Sequence, residues 1–381
     1  MVSPSTHFES ARISAYFAHL VAELGPVEGV QVVCVAHMVS NTTQFLPALN
    51  DMFGVGLLLP KPKSTGSVYS EAVRRLGFPE FPLSRVWAND ANKVALELSK
   101  LDEAKKILIV DIGGYFATSL DLIDDLFPGR ILGVMEGTEN GVQKYEESPA
   151  GHRVPLVTVA RSPLKLPEDY LVGAGIVFSV EATLREQAQI LQTRSACVVG
   201  YGRVGSGVAE VLRGRGIPTV VHDTSPVAMA EASARGFRVY RRLDDALLQS
   251  NLVISATGKR ALSTRTLGAL RSGTVLATVT SADDEFEEGA LRRYRRVPIS
   301  GRVSRYENDE RHYFWLVNQG NAANFLDDAV IGPAIQLIEG EKLAALKELA
   351  EGRATGGRIA EVSAARRELV ARVWNEHFLD D

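Results

Sequence analysis

Val198-Val199-Gly200-Tyr201-Gly202-Arg203-Val204-Gly205 is the stretch on which the fold turns. An apolar strand over 196–199 runs straight into Gly200-x-Gly202-x-x-Gly205, and a helical pattern over 206–215 follows. That setting gives each glycine a task. The first permits the tight turn, the second lets the backbone approach a pyrophosphate, and the third allows the helix to pack closely on the strand. The helix start supplies amide donors and the positive end of a dipole, and Arg203 and Val204 within the turn are candidate cofactor-binding residues as well. Asp223 ends the next strand about 18 residues after Gly205, where a carboxylate accepts both ribose hydroxyls and repels a 2′-phosphate. Ser255-Ala256-Thr257-Gly258 ends a later strand, the usual place for contacts on the nicotinamide side. The ligand these residues predict is NAD rather than NADP.

Outward from this core, short apolar runs alternate with helical patterns, which argues for α/β architecture with mostly parallel sheets. The second half reads as strands at 196–199, 219–222, 237–240, 252–256 and 275–278, then a β-like piece at 313–317 and a Gly/Asn-rich stretch at 318–324. The first half reads as strands at 30–35, 55–59, 106–110 and 130–134, with helices such as 41–51 and 91–101 between them. An amphipathic helix is predicted over 181–193, with Leu184, Ala188 and Leu191 on one face, and a helical tail over 328–378, interrupted at 352–357. Three strand ends of the first half carry polar or glycine-rich turns: His37 to Asn41, Asp111-Ile112-Gly113-Gly114, and Glu136 to Gly141. Ligands of open parallel sheets bind beyond such ends, so His37, Asp111 and Glu136 become candidate site residues. Asp111 serves equally well as a turn or cap residue.

Composition narrows the class. The chain has 381 residues, 45% hydrophobic and 23% charged, with net charge -4, which suits two soluble domains and gives no electrostatic case for nucleic acid or anionic membrane. The two cysteines, Cys34 and Cys197, sit in apolar runs, so neither a disulfide framework nor a metal site is expected. The longest apolar runs fall short of the roughly 18 residues of a transmembrane span. No basic segment leads into an apolar stretch at the start. The expectation is a reduced, cytoplasmic protein.

On these residues the chain resembles the S-adenosylhomocysteine hydrolase family. The segment from Val199 to Gly207 is similar to that family's AGYGDVGKG, Asp223-Thr224-Ser225-Pro226 to its E-x-D-P, Ala256-Thr257-Gly258 to its TTG, and Leu316-Val317-Asn318-Gln319-Gly320 to its LVNLG. In the first half Ala36-His37-Met38 resembles its LHM, Asp111 to Gly114 its DDGG, Glu136-Gly137-Thr138 its EET, and Lys165 to Asp169 its KSKFD. The resemblance implies a substrate domain over 1–180, an NAD-binding Rossmann domain over 181–317, and a return to the substrate domain over 318–381. It also implies a homo-oligomer and a nucleoside-like small-molecule substrate whose hydroxyl is oxidised and later restored.

Carried over residue by residue, the resemblance places His37 on an active-site histidine, Thr42 on a base-contacting threonine and Asp169 on a ribose-site aspartate, and retains Thr138 and Asn318. It fails elsewhere. Ile112 stands for an aspartate, Gly137 for a glutamate, Pro167 for the active-site lysine, Ser281 and Phe325 for histidines, and Val39 and Asn41 for residues that read adenine. The tail Phe378-Leu379-Asp380-Asp381 lacks the family's DHYRY segment, which completes a neighbour's NAD site. Lys165 and Asp169, four residues apart, form either a proton shuttle or a solvated pair. The expected activity is therefore an NAD-dependent oxidoreductase or redox-assisted lyase or hydrolase acting on an altered nucleoside or another small alcohol. The alternatives are a non-catalytic NAD-binding regulatory paralogue, an ordinary adenosylhomocysteinase with a rearranged site, and an unrelated dehydrogenase of hydroxy or amino acids.

Overall fold

Side chains of a strand alternate between the two faces of its sheet, and both faces of the first sheet are apolar. From β1 (Val30–Ala36), Val32, Cys34 and Ala36 enter one core, while Val33 and Val35 enter the other. Helices must therefore cover both sides. In the computed structural model, which describes residues 4–64, 69–148 and 152–379, the chain divides into two such units. The first is Met1–Lys165 with Gly332–Asp381, and the second is Leu166–Ile331.

In the first unit β2 (Val55–Pro60), β3 (Lys106–Asp111), β4 (Ile131–Glu136) and β5 (Leu156–Thr158) join β1 in a parallel sheet. Its order is β5-β4-β3-β1-β2, and a short strand from late in the chain, Ile359–Glu361, adds to the β5 edge. The order reverses between β1 and β3, which makes their carboxyl ends the switch point where open sheets bind ligands. One face is covered by helices Pro4–Leu24, Thr42–Phe53, Ile335–Ala350 and Ala364–Phe378. Ile335–Ala350 lies so close that a Cβ on Gly133 of β4 would fall 2.4 Å from Leu349 Cδ2. The tail expected to be helical over 328–378 is thus two helices with a sheet strand between them, and residues 318–331 belong to the second unit. Asp380 and Asp381 lie outside the described residues.

The second unit contains β6 (Ala196–Val199), β7 (Thr219–His222), β8 (Arg238–Val239), β9 (Leu252–Ser255), β10 (Thr274–Thr278), β11 (Arg295–Pro298), β12 (Val303–Glu307) and β13 (Tyr313–Val317). The parallel order β8-β7-β6-β9-β10-β13 is that of a doubly wound dinucleotide fold, extended past β13 by the antiparallel β12 and β11. Helix Leu166–Glu186 packs across helix Arg203–Gly214. It differs from the predicted 181–193 helix, beginning 15 residues earlier and ending at Glu186. Beyond it, Ala188 adopts φ 54° and Gln189 N–H bonds Leu184 O at 2.9 Å, which terminates the helix. Its first two-thirds hide from an amphipathic reading because they are apolar on most sides and carry Gly173 and Gly175. The helix lies wholly in the second unit, so the junctions fall at 165/166 and 331/332.

Those two glycines separate packing from propensity. A Cβ on Gly173 would sit 2.7 Å from Val208 N, whereas one on Gly175 would touch Asn324 Cβ at an ordinary 3.5 Å. Gly173→Ala is expected to destabilise the protein by about 1–3 kcal/mol through overpacking. Gly175→Ala is expected to gain up to about 1 kcal/mol of helix propensity. Thermal unfolding of the two variants side by side checks the opposite signs.

Candidate functional site

The second unit builds its site from steric necessity. Gly200 has φ 93°, and a Cβ there would lie 2.7 Å from Ala256 O, while one on Gly205 would lie 2.0 Å from Gly200 O. At Gly202, by contrast, a Cβ would meet nothing within 4 Å. The turn is closed on the protein side and open where a pyrophosphate would approach, at the start of the twelve-residue helix Arg203–Gly214. Asp223 is held at this turn: Tyr201 N–H donates to its Oδ2 at 2.6 Å and Ser225 N–H to its Oδ1 at 2.7 Å. Each oxygen keeps acceptor capacity for a ribose hydroxyl. These residues fit an adenine dinucleotide.

After β9 the turn 255–258 is organised by Glu285, which is fully buried. Its carboxylate accepts from Ser255 Oγ (2.6 Å), Thr257 Oγ1 (2.9 Å), Thr280 Oγ1 (2.8 Å), Thr257 N (3.1 Å) and Gly258 N (3.0 Å). Ser281 stands at the N-cap position of the short helix Ala282–Glu285, and its hydroxyl donates to Asp284 at 2.7 Å. Asn318, at φ 48°, donates from its side chain to Ala322 O at 2.8 Å. Phe325 packs on the apolar core of this unit. Asp169 is buried, and Arg203 Nη1 stands 3.8 Å from its Oδ2, which ties it to the first turn of the glycine helix. Lys165 closes the first unit, with its amide bonded to Ser162 O at 3.2 Å.

In the first unit the switch point gathers a polar network. His37 follows β1 and is partly buried. Desolvation, then the ammonium groups of Lys61 and Lys342, hold its pKa well below the usual imidazole value, which favours the neutral ring. Thr42 Oγ1 donates to His37 O at 2.6 Å. Asn41 Nδ2 donates to Glu339 Oε1 at 2.9 Å, and Lys342 pairs with Glu339 Oε2 at 2.9 Å. Thr42 and Asn41 therefore shape the turn and anchor helix Ile335–Ala350.

Asp111 and Glu136 are adjacent in register and both buried. Glu136 Oε1 accepts from Gly113 N (3.0 Å) and from Thr138 N and Oγ1 (2.7 Å each), and Oε2 from Gly114 N (2.9 Å). Thr138 also caps helix Glu139–Glu146. Asp111 Oδ2 accepts from Tyr145 Oη (2.8 Å) and Phe116 N (3.1 Å). Desolvation and the Asp111 charge push Glu136 up to about 8 against those donors. Asp111 and Glu136 thus hold turns within the protein. Lys61, Arg85, Lys144, Glu339 and Lys342 were not singled out in the sequence. Only Lys61, directly after β2, carried a strand-end signal.

Both cysteines are buried with thiols raised to about 12 by desolvation. Among the described residues no His/Cys/Asp/Glu group is arranged for a metal ion, and no helix is long and apolar enough to cross a membrane.

Residues 176–329 match the family described as S-adenosyl-L-homocysteine hydrolase, NAD binding domain. An adenosylhomocysteinase of Aeropyrum pernix is 25% identical over 367 residues, covering 91% of this chain and 84% of the relative. An S-inosyl-L-homocysteine hydrolase of Methanopyrus kandleri is 25% identical over 315 residues, covering 78% and 71%. Among solved structures, the TT0316 protein of Thermus thermophilus overlays with a TM-score of 0.47 at 12% identity, covering 85% of this chain and 97% of that one. Fold and glycine turn together define a two-unit α/β protein whose cofactor is NAD. Over residues 176–329 the chain matches that family's NAD-binding domain, and over most of its length it is similar to an adenosylhomocysteinase at 25% identity.

Glu136 offers a test of the network. Its folded pKa lies above the ordinary 4.5, so the folded state binds more protons than the unfolded one between about 4.5 and 8, and its contribution to stability falls as pH rises through that window. Glu136→Gln must aim an amide NH2 at a backbone donor, costing about 1–3 kcal/mol. Urea titrations at several pH values should show the variant gaining stability relative to the parent as pH rises from about 5 to about 8, because only the parent loses the Glu136 contribution there.

Proposed function

We propose that the chain is an NAD-dependent oxidoreductase, or a redox-assisted lyase or hydrolase, of adenosylhomocysteinase type. Its substrate is an altered nucleoside or another small hydroxyl-bearing molecule rather than S-adenosylhomocysteine. The observation that carries this reading is the contrast at the first switch point. His37 is kept neutral, while the neighbouring Thr42 and Asn41 side chains, which would read a base, bond to His37 O and Glu339 instead. The names of the two relatives, one adenosyl and one inosyl, differ in the base, which supports a family tolerant of base changes.

In this reading the first unit binds substrate and the second binds NAD, and the protein works as a homo-oligomer. NAD supplies a hydride acceptor when bound. His37 accepts the proton of the substrate hydroxyl. Of the remaining candidates, Lys165 is the proton carrier of the first unit, and Asp169, steadied by Arg203, is a hydroxyl-binding group of the second. Asp111 and Glu136 act as positioning residues that hold the Gly113–Gly114 and Thr138 turns. Gly200, Gly202, Gly205, Val204 and Arg203 seat the pyrophosphate, Asp223 binds the ribose, and Ala256, Thr257, Gly258 and Asn318 line the nicotinamide side. Thr138, Ser281 and Phe325 support the substrate's surroundings.

Two measurements test it. Asp223→Ala should weaken NAD binding by about 10- to 100-fold, the loss of charge-assisted hydrogen bonds, as read by fluorescence titration. A screen of nucleosides and polyols against the NAD-loaded protein should find one that raises reduced-nicotinamide absorbance, and His37→Asn should abolish that rise while leaving NAD affinity unchanged. Turnover of S-adenosylhomocysteine at an ordinary family rate overturns the substrate reading. Tight NAD binding that no alcohol reduces marks a regulatory paralogue instead.

A further inference from the structure

A buried carboxylate governs what the turn after β9 can offer a ligand. Glu285 is fully buried, and among the described residues it has no ion-pair partner. Neutral donors alone meet it. Ser255 Oγ at 2.6 Å, Thr257 Oγ1 at 2.9 Å, Thr257 N at 3.1 Å and Gly258 N at 3.0 Å come from the turn after β9, and Thr280 Oγ1 at 2.8 Å comes from the turn after β10. The backbone beside Glu285 grips the same loop: Arg260 N–H donates to Asp284 O at 2.7 Å and Leu262 N–H to Glu285 O at 2.9 Å. Two neighbouring strand ends are thereby fastened to one short helix, Ala282–Glu285.

Closing a turn does not by itself call for a charge in this place. A carboxylate without a counter-ion is costly to bury, and a hydroxyl or an amide would close a turn at less cost. What distinguishes the carboxylate is that it accepts from every side and carries no donor of its own. It draws the amides of Thr257 and Gly258 and the neighbouring hydroxyls inward. Ala256 N–H in turn donates to Val199 O at 2.7 Å, so the amide donors of 256–258 are spent inside the protein and carbonyl oxygens are left to face outward. Ala256 O is one of them. A Cβ on Gly200 would stand 2.7 Å from that oxygen, which puts it beside the glycine turn of the dinucleotide site. Among the described residues Ala256 O accepts no hydrogen bond.

We propose that Glu285 is a positioning residue for the nicotinamide half of NAD: by spending the donors of the turn it makes 256–258 an acceptor-only surface, Ala256 O included, for a donor of that half. This deepens the proposed function and rests on its assignment of Ala256, Thr257 and Gly258 to the nicotinamide side. Two groups of that half can supply the donor, the carboxamide NH2 and the ribose hydroxyls.

Fluorescence titration of the NAD-free full chain with NAD, ADP-ribose and ADP tests it. Glu285→Gln turns an amide NH2 onto neighbours that are themselves donors, and NAD is expected to bind it about tenfold more weakly than the parent, the order of one misdirected hydrogen bond. ADP, which lacks the nicotinamide half, should bind the variant as it binds the parent, which also shows that the variant is folded. Thr280→Val removes one donor to Glu285 without altering the 255–258 turn, and should weaken NAD by about threefold and ADP not at all. Where Glu285→Gln does not fold, Thr280→Val carries the decision. A loss confined to NAD assigns the carboxamide as the donor, and a loss shared by ADP-ribose assigns the ribose hydroxyls. NAD binding unchanged in both variants, or ADP weakened as much as NAD, overturns the role of Glu285. A parent chain that binds NAD no more tightly than ADP overturns the assignment of the turn and the inference with it. Substrate enters none of these titrations, so the alcohol screen decides the redox reading separately.

Discussion

A side chain at position 205 would place its first carbon 2.0 Å from the carbonyl oxygen of Gly200, and much of the second unit follows from keeping that space empty. The contact lets helix Arg203–Gly214 start directly on the end of β6, with its first amides facing outward. The same helix is approached from its other side at Gly207, where a Cβ would lie 3.1 Å from Tyr170 Cα, and across from it Gly173 meets Val208. Strand, glycine helix and the long helix Leu166–Glu186 are stacked at backbone contact, which leaves little freedom in the layer beneath the cofactor.

Loops at the strand ends are ordered by another device, used repeatedly. A carboxylate in each case collects amides or hydroxyls from segments that have no regular partner: Asp223 those of Tyr201 and Ser225, Glu285 those of Ser255 to Gly258 and of Thr280, Glu136 those of Gly113, Gly114 and Thr138. Burying such a group is costly unless its lone pairs are met, so these arrangements are specific. They convert irregular chain into a rigid frame without help from the sheet ladder.

This explains what was legible in the sequence and what was not. The dinucleotide turn was legible because its determinants are local: glycine spacing, an apolar strand before it and a carboxylate one strand later. The first unit's turns were located by the strand-end rule, but the duties of their residues were not, because Asp111, Thr42 and Asn41 take partners 5 to 298 residues away. Lys61, Arg85 and Lys144 reach the Gly113 turn from three separate segments and have no sequence signature. Helix Leu166–Glu186 was hidden by glycines required for contact rather than for a break. The edge strand Ile359–Glu361, three residues long, was too short to stand out from the helices around it.

The first unit is assembled from two distant stretches of chain, whereas the second is continuous. Helix Ile335–Ala350 supplies Leu343, Leu346 and Leu349 to the core beneath β1, β3 and β4, and Ile359–Glu361 closes one sheet edge. During synthesis the continuous unit has its complete sequence once residue 331 has emerged, while the earlier-made stretch still lacks two of the helices that cover one sheet face and the strand that pairs with one edge. Such surfaces favour association with other chains. The order of birth therefore runs against the order of completion, and the interval between them is where this protein depends most on being shielded by the cell's folding machinery.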